Sequence, residues 1–272
     1  MKNSLNIYSL RTFGALKVDD RFACICCRKD MYMKRPKMIL FDYGQTLANE
    51  RSFDGIKGTE AVLSHAVKNK YGRTAYDVQS LADELNNEMG RYDPARKHLF
   101  QIEVPNAMFN AYLYGSLGIE IDLSPTEFDR IFWDAAAPAV PTEGVEDFLA
   151  CLREEGIRTG VISNIAYSGE AVEERIRALL PEHDFEFILA TSEYMFRKPH
   201  RRIFELALEK AGLDAEDVWY IGDSYECDVA GAENAGLFPV WYVGASKHHE
   251  RKEDILTIKH WDELRRMLTE LN

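Results

Sequence analysis

The sequence predicts an α/β protein: a parallel sheet covered by helices on both faces, with a helical block inserted after the first strand. Two observations predict it. After Pro138 and Pro141, helix-like and strand-like segments alternate at short intervals, the pattern of a parallel sheet. Between the first apolar strand and Pro138, some ninety residues carry apolar side chains at spacings of three and four instead. A chain of 272 residues, 46% hydrophobic and 29% charged, is long enough for one large or two modest domains.

In chain order, residues 1–36 show no sustained apolar period and are expected to form a poorly ordered extension. They lack the apolar core of a secretory signal, and Met31, Met33 and Met38 offer alternative starts, the pattern of an over-extended start. Residues 37–41 are short and apolar, as in a buried strand. Four helix faces follow: Leu63, Ala66, Val67 and Tyr71; Val78, Leu81, Leu85 and Met89; Phe109, Tyr112 and Leu113; Phe128, Ile131, Phe132 and Ala135. Gly72, Pro94, Pro105 and Gly118 punctuate them. Past Pro141, a helix around Val145, Phe148, Leu149 and Leu152 ends at Gly156. Strands are expected at 158–163, 185–190, 218–221 and 239–243. A helix opening with Pro199 in its first turn ends near Gly212.

The net charge of -12 argues against non-specific nucleic-acid partners and anionic membranes. No run approaches 18 apolar residues, so no membrane-spanning helix is expected. The five cysteines, three of them clustered at Cys24, Cys26 and Cys27, do not read as a disulfide framework. A reducing, cytoplasmic setting is the simplest expectation.

Three polar clusters directly follow strands: Asp42 with Thr46, Ser163 with Asn164, and Asp223 with Asp228. Arg197-Lys198-Pro199 precedes a helix on the same side. The carboxyl ends of parallel strands form a ligand crevice, so these groups are expected in one place. The segment Gly222-Asp223-Ser224-Tyr225-Glu226-Cys227-Asp228 holds two aspartates five positions apart. Two unit charges about 4 Å apart repel by roughly 4 kcal/mol at an effective dielectric near 20. Such a loop demands a cation, and oxygen ligands suit Mg²⁺.

Phe41-Asp42-Tyr43-Gly44-Gln45-Thr46-Leu47, Val161-Ile162-Ser163-Asn164, Arg197-Lys198-Pro199 and the stretch from Gly222 to Gly236 stand in this order. Together they resemble the haloacid dehalogenase-like hydrolase superfamily, in the branch with an α-helical cap after the first strand. The resemblance implies a Rossmann-like, doubly wound core at 37–48 and 139–272, with the cap at 49–138. It implies a Mg²⁺-dependent phosphatase of a small phosphorylated metabolite, working through an aspartyl-phosphate. Asp42 would be the nucleophile, and Lys198 would neutralise it and the phosphoryl charge. Thr46 would position the first loop, while Ser163 and Asn164 would bind the phosphoryl group. Asp42, the backbone carbonyl of Gly44 and Asp223 would hold Mg²⁺. Asp228 would act through water or by binding Lys198.

One position departs from the superfamily pattern. Gly44 stands where most of its phosphatases carry a second Asp, the general acid and base, whose help is worth roughly 10² to 10⁴-fold. Two alternatives therefore accompany the phosphatase: a 2-haloacid dehalogenase, which uses the same nucleophile without a metal, and a non-catalytic binding or regulatory member. Arg91, Arg96, Lys97 and His98 are expected to form a solvated loop, as is His248-His249. Tyr112, Tyr114 and Trp133 are expected to be packing residues.

Overall fold

The computed structural model describes residues 33–50, 52–90, 101–245 and 255–271. Most of the suspected extension, the basic cluster at 91–98, the clustered cysteines and His248-His249 lie outside the described residues.

The chain enters with Lys34 and Lys37, which both pair with Asp217, at 2.5 and 2.7 Å. Strand β1 (Met38–Phe41) is wholly buried and runs into the first polar loop, from which β2 (Ala48–Glu50) leaves. Then come α1 (Gly55–Leu63), β3 (Ala66–Asn69), α2 (Ala75–Glu88), α3 (Asn106–Ser116), β4 (Ile119–Ile121) and α4 (Pro125–Ala136). The chain returns through β5 (Ala139–Pro141), which pairs antiparallel with β2. Alternation follows: α5 (Val145–Glu154), β6 (Arg158–Ser163), α6 (Gly169–Leu179), β7 (Ile188–Ala190), α7 (Thr191–Tyr194) and α8 (Arg201–Ala211). The last elements are β8 (Val218–Gly222), α9 (Ala230–Ala235), β9 (Phe238–Tyr242), β10 (Leu256–Ile258) and α10 (Trp261–Glu270).

Six strands form one parallel sheet in the order β10-β9-β8-β1-β6-β7. This is the parallel sheet expected from the alternation, in the Rossmann-like arrangement that the resemblance implies. Strand residues alternate between faces. Met38 and Leu40 pack with Ile162, Val218 and Tyr220 against Ile203 and Phe204 of α8. Phe41 turns to the other face, where it meets Phe148 of α5 and Trp261 of α10, with ring centroids 6.3 and 6.0 Å apart. Each such fully buried side chain contributes about 1.5–3 kcal/mol. The chain builds outward from β1 toward β7, then jumps back to β8 and builds the other way. The crevice at that switch point lies at the ends of β1 and β8.

A second apolar cluster, separate from the sheet, joins the inserted helices through Val62, Val78, Leu113, Tyr114 and Phe128. The insert is not wholly helical. Helix α1 stops at Leu63, and Ala66 and Val67 belong to β3, which pairs antiparallel with β4. The three-and-four spacing there was accidental: Val67 and Tyr71 are exposed. Tyr112 is also exposed, not packed, whereas Tyr114 and Trp133 are buried as expected. The strand expected at 185–190 narrows to β7, although Glu186 N still donates to Thr159 O. Helix α8 begins after Pro199, with His200 accepting from the Arg202 amide at 3.2 Å as its cap.

The entrance and exit of the insert meet at Arg175 on α6. Its Nε donates to Tyr43 Oη (2.8 Å), its Nη1 to Asp134 Oδ1 (2.5 Å) and its Nη2 to the Ala137 carbonyl. The guanidinium lies 4.3 Å from the Trp133 ring centre, and Trp133 Nε1 donates to Glu50 Oε1 at 2.8 Å. One buried cation thus joins the first loop, the strand leaving it and the helix returning to it. We expect Arg175→Met, which keeps the bulk, to cost about 3 kcal/mol, because it orphans buried acceptors. Urea unfolding measures this, and a loss below about 0.5 kcal/mol would show that the clamp contributes little.

Candidate active site

The loops at the ends of β1, β6 and β8 bring the expected polar residues together around one buried ammonium. Lys198 is 3% exposed. Its Nζ donates to Asp42 Oδ1 (2.6 Å), Asp228 Oδ1 (2.7 Å) and Tyr220 Oη (2.7 Å). A lysine has three donors, and all three are used. Asn164, just past β6, fixes the backbone that carries this lysine. Its Nδ2 donates to Lys198 O and its Oδ1 accepts from Lys198 N, both at 2.8 Å.

Local sequence explains how Asp228 reaches the lysine. Ser224 accepts from the Cys227 amide, and the chain turns through a widened helical turn at Tyr225–Val229 before α9 begins. Such π-type turns concentrate at functional sites. Asp228 Oδ2 accepts from Ser224 N at 2.9 Å, folding the carboxylate back over the end of β8. A Cβ on Gly222 would lie 2.3 Å from Asp228 Cγ, so only glycine admits this return. Gly44 has the opposite surroundings, with nothing within 4 Å of where a Cβ would stand.

The first loop is shaped by Gln45, whose φ of 56° places it in the left-handed region. That costs about 1–2 kcal/mol, which two bonds offset: Gln45 N to Ala48 O (2.7 Å) and Gln45 Nε2 to Glu50 O (3.0 Å). Thr46 is fully buried. Its backbone carbonyl accepts from Thr142 Oγ1 at 2.7 Å, and Thr142 accepts from Trp261 Nε1 at 3.1 Å. Its own hydroxyl has no partner among the described residues. Ser163 closes β6 and is buried.

One oxygen from each of Asp42, Asp223 and Asp228 lies within 4.8 Å of the others. Fully ionised, three carboxylates and one ammonium leave two negative charges in the crevice. Burial pushes the Asp42 carboxyl up to about 7; Lys198 pulls it down, and Asp228 and Asp223 push it up again. Burial and then Asp228 push Asp223 up to about 6. Burial would lower Lys198, but Asp228 and Asp42 outweigh it and hold it above its ordinary value. The donor set is all oxygen and two charges short, which fits a hard divalent cation. Asp228 already spends both oxygens on protein donors, so Asp42 and Asp223 are the better placed to hold that cation.

Sequence reasoning missed Tyr220, Arg175 and Glu103. Tyr220 sits inside an apolar strand, where its ring packs against Phe204 and hides the role of its hydroxyl. Glu103 is buried, accepts from Thr191 Oγ1 at 2.9 Å and pairs with Arg197, next to the catalytic-candidate lysine. Nothing in the local pattern around Glu103 marks it.

The family described as haloacid dehalogenase-like hydrolase matches residues 36–236. The chain is 30% identical over 241 residues to a glyceraldehyde 3-phosphate phosphatase of Methanothermobacter thermautotrophicus, covering 85% of this chain and 99% of that one. It is 26% identical to the pyrimidine 5'-nucleotidase YjjG of Escherichia coli, covering 85% and 96%. With the glyceraldehyde 3-phosphate phosphatase of Pyrococcus abyssi, 34% identity extends over 36% of this chain and only 41% of the relative. A 2-haloacid dehalogenase from Pseudomonas syringae shares the fold, with a TM-score of 0.61 at 22% identity, over 87% of this chain and all of that one.

The raised carboxyls have a consequence for stability. Unfolded aspartates lose their protons near 3.8, whereas the folded, metal-free cluster keeps them to about 6 and about 7. Through these groups the fold loses stability as pH rises from about 4 to about 7, and the loss is complete above that. A cation bound to the ionised cluster opposes this. We expect Mg²⁺ to raise the melting temperature of EDTA-treated protein more at about pH 8 than at about pH 5. Equal shifts at both pH values, or none, would contradict it.

Proposed function

Because the chain belongs to the haloacid dehalogenase-like hydrolases, we propose that it is a Mg²⁺-dependent phosphatase of a small phosphorylated metabolite, acting through an aspartyl-phosphate on Asp42. The observation that carries this is the cluster of three carboxylates, two of them paired with one buried lysine, two charges short of neutrality when ionised. Most of the curated relatives described above are named as phosphatases, and one as a nucleotidase.

Asp42, Asp223 and the Gly44 carbonyl would hold Mg²⁺, which supplies charge to offset the phosphoryl dianion. Lys198 holds Asp42 by Oδ1, leaving Oδ2 to attack phosphorus. The phosphorus–oxygen bond to the leaving group breaks as the aspartyl bond forms. Water then hydrolyses the acyl phosphate, returning the Asp42 carboxylate and releasing inorganic phosphate. Ser163 and the Thr46 hydroxyl would bind phosphoryl oxygens, and Asn164 would serve by fixing Lys198. Gly44 would provide no acid for the departing oxygen, so the reaction would be slower, would use a leaving group that needs no proton, or would take a proton from the cap.

Residues 49–138 would act as the cap. The ribbon of β2 and β5 carries the chain out of the sheet domain and back beside itself, as a hinge would. Cys151 is a free thiol, which suits a reducing cytoplasm.

We expect Asp42→Asn to lower turnover of p-nitrophenyl phosphate at least about a thousandfold while circular dichroism stays native. Wild-type-like turnover in that variant would sink the covalent mechanism. EDTA-insensitive chloride release from a 2-haloacid would favour the dehalogenase instead. Gly44→Asp has room for its side chain. It should raise hydrolysis of alkyl phosphates relative to p-nitrophenyl phosphate, whose leaving group needs no proton, by up to about 100-fold. An unchanged ratio would show that proton transfer does not limit the rate.

A further inference from the structure

A cavity of about 1070 Å³ opens beside the buried lysine and extends between the sheet domain and the inserted helices. Lys198, Asn164 and Arg197 are among its lining residues; Asp42 and Asp223 are not. Pockets that enclose drug-sized ligands measure about 300–1,000 Å³. A three-carbon phosphate would leave most of this space empty.

Two kinds of side chain dominate the wall beyond the lysine. Phe53, Phe109, Phe132 and Tyr167 supply aromatic surface. Gln79, Asn106 and Asn110 supply carboxamides. Gln79 Nε2 donates to Thr59 Oγ1 (2.7 Å) and Asn106 Nδ2 to Asp129 Oδ1 (2.6 Å), so each amide is oriented and its carbonyl oxygen is left to accept. Asn110, half-buried, has no hydrogen-bond partner among the described residues. Its amide offers a donor and an acceptor together. That pairing matches a planar ring edge that also carries both, the way carboxamides read base edges. Aromatic faces stack on such rings. Among the described residues the lining cations are Lys198 and Arg197, and both already face carboxylates. Asp83 and Glu226 add negative charge to the wall. The described wall therefore disfavours a second phosphate.

We propose that this cavity receives the nucleoside of a nucleoside monophosphate, with the phosphate toward Lys198 and the base among the aromatic rings and carboxamides. The proposal rests on the phosphatase reading and names the substrate class for that site.

The test uses the full chain with Mg²⁺. p-Nitrophenyl phosphate reports whether the protein is a phosphatase at all. kcat/KM is then compared for nucleoside 5'-monophosphates, ribose 5-phosphate and glyceraldehyde 3-phosphate. The nucleotides should exceed ribose 5-phosphate, which lacks only the base, by at least about tenfold. Asn110→Leu should shrink that advantage several-fold, mainly through the KM of the nucleotide. Suppose instead that p-nitrophenyl phosphate is hydrolysed but either smaller phosphate equals or beats the nucleotides. The nucleotide proposal then falls and the phosphatase reading stands. If no phosphoester is hydrolysed, the phosphatase reading itself fails and takes the nucleotide substrate with it.

Discussion

The site depends on one buried ammonium. Lys198 is buried away from solvent, so its three donors must find oxygen within the protein, and they find Asp42, Asp228 and Tyr220. An uncompensated charge in the same place would cost several kcal/mol. Around that lysine the protein assembles parts that have no other reason to meet. The ends of β1 and β8 bring two of the carboxylates, Asn164 after β6 clamps the lysine's backbone, and Gly222 gives Asp228 room to fold back. One ammonium does not neutralise three carboxylates. The imbalance is what makes the cluster receptive to a divalent cation and to chemistry on an anion.

A second buried cation has a mechanical role. Arg175 binds Tyr43 in the first loop, Asp134 and the Ala137 carbonyl where the inserted helices return, and it faces the Trp133 ring. The loop that carries Asp42 is therefore held from two directions: by Arg175 through Tyr43, and by Trp261 and Thr142 through the Thr46 carbonyl. As the proposed nucleophile, Asp42 would have to be placed to within a fraction of an ångström, and both holds come from side chains distant in sequence. Across the crevice, Gly44 leaves open space where a proton carrier would stand.

Much of this was legible in the chain. Apolar runs ending in polar turns located β1, β6 and β8, and β6 has the bounds expected from its pattern. Asp42, Asp223 and Asp228 come together with Lys198 and the Asn164 that holds it. The reading weakened where periodicity is ambiguous. Ala66 and Val67 fit a helix face by spacing, yet form a short exposed strand, because neighbours three and four apart cannot distinguish a continuing helix from one that has just ended. The short strands β2, β5 and β10 carry too few residues to show a period at all.

The sequence by itself determined the order and chemistry of the parts: an aspartate after the first strand, a lysine before a helix, two aspartates after another strand, and a glycine where an acid was expected. Those are properties of residue type and local spacing. Only the tertiary structure decided that Lys198 would meet Asp42 across 156 positions, that Tyr220 would supply its third acceptor, and that Arg175 would hold the entrance of the insert. These contacts join segments whose separation no local period reports. Burial gives them their strength, and burial exists only once the sheet has closed over them.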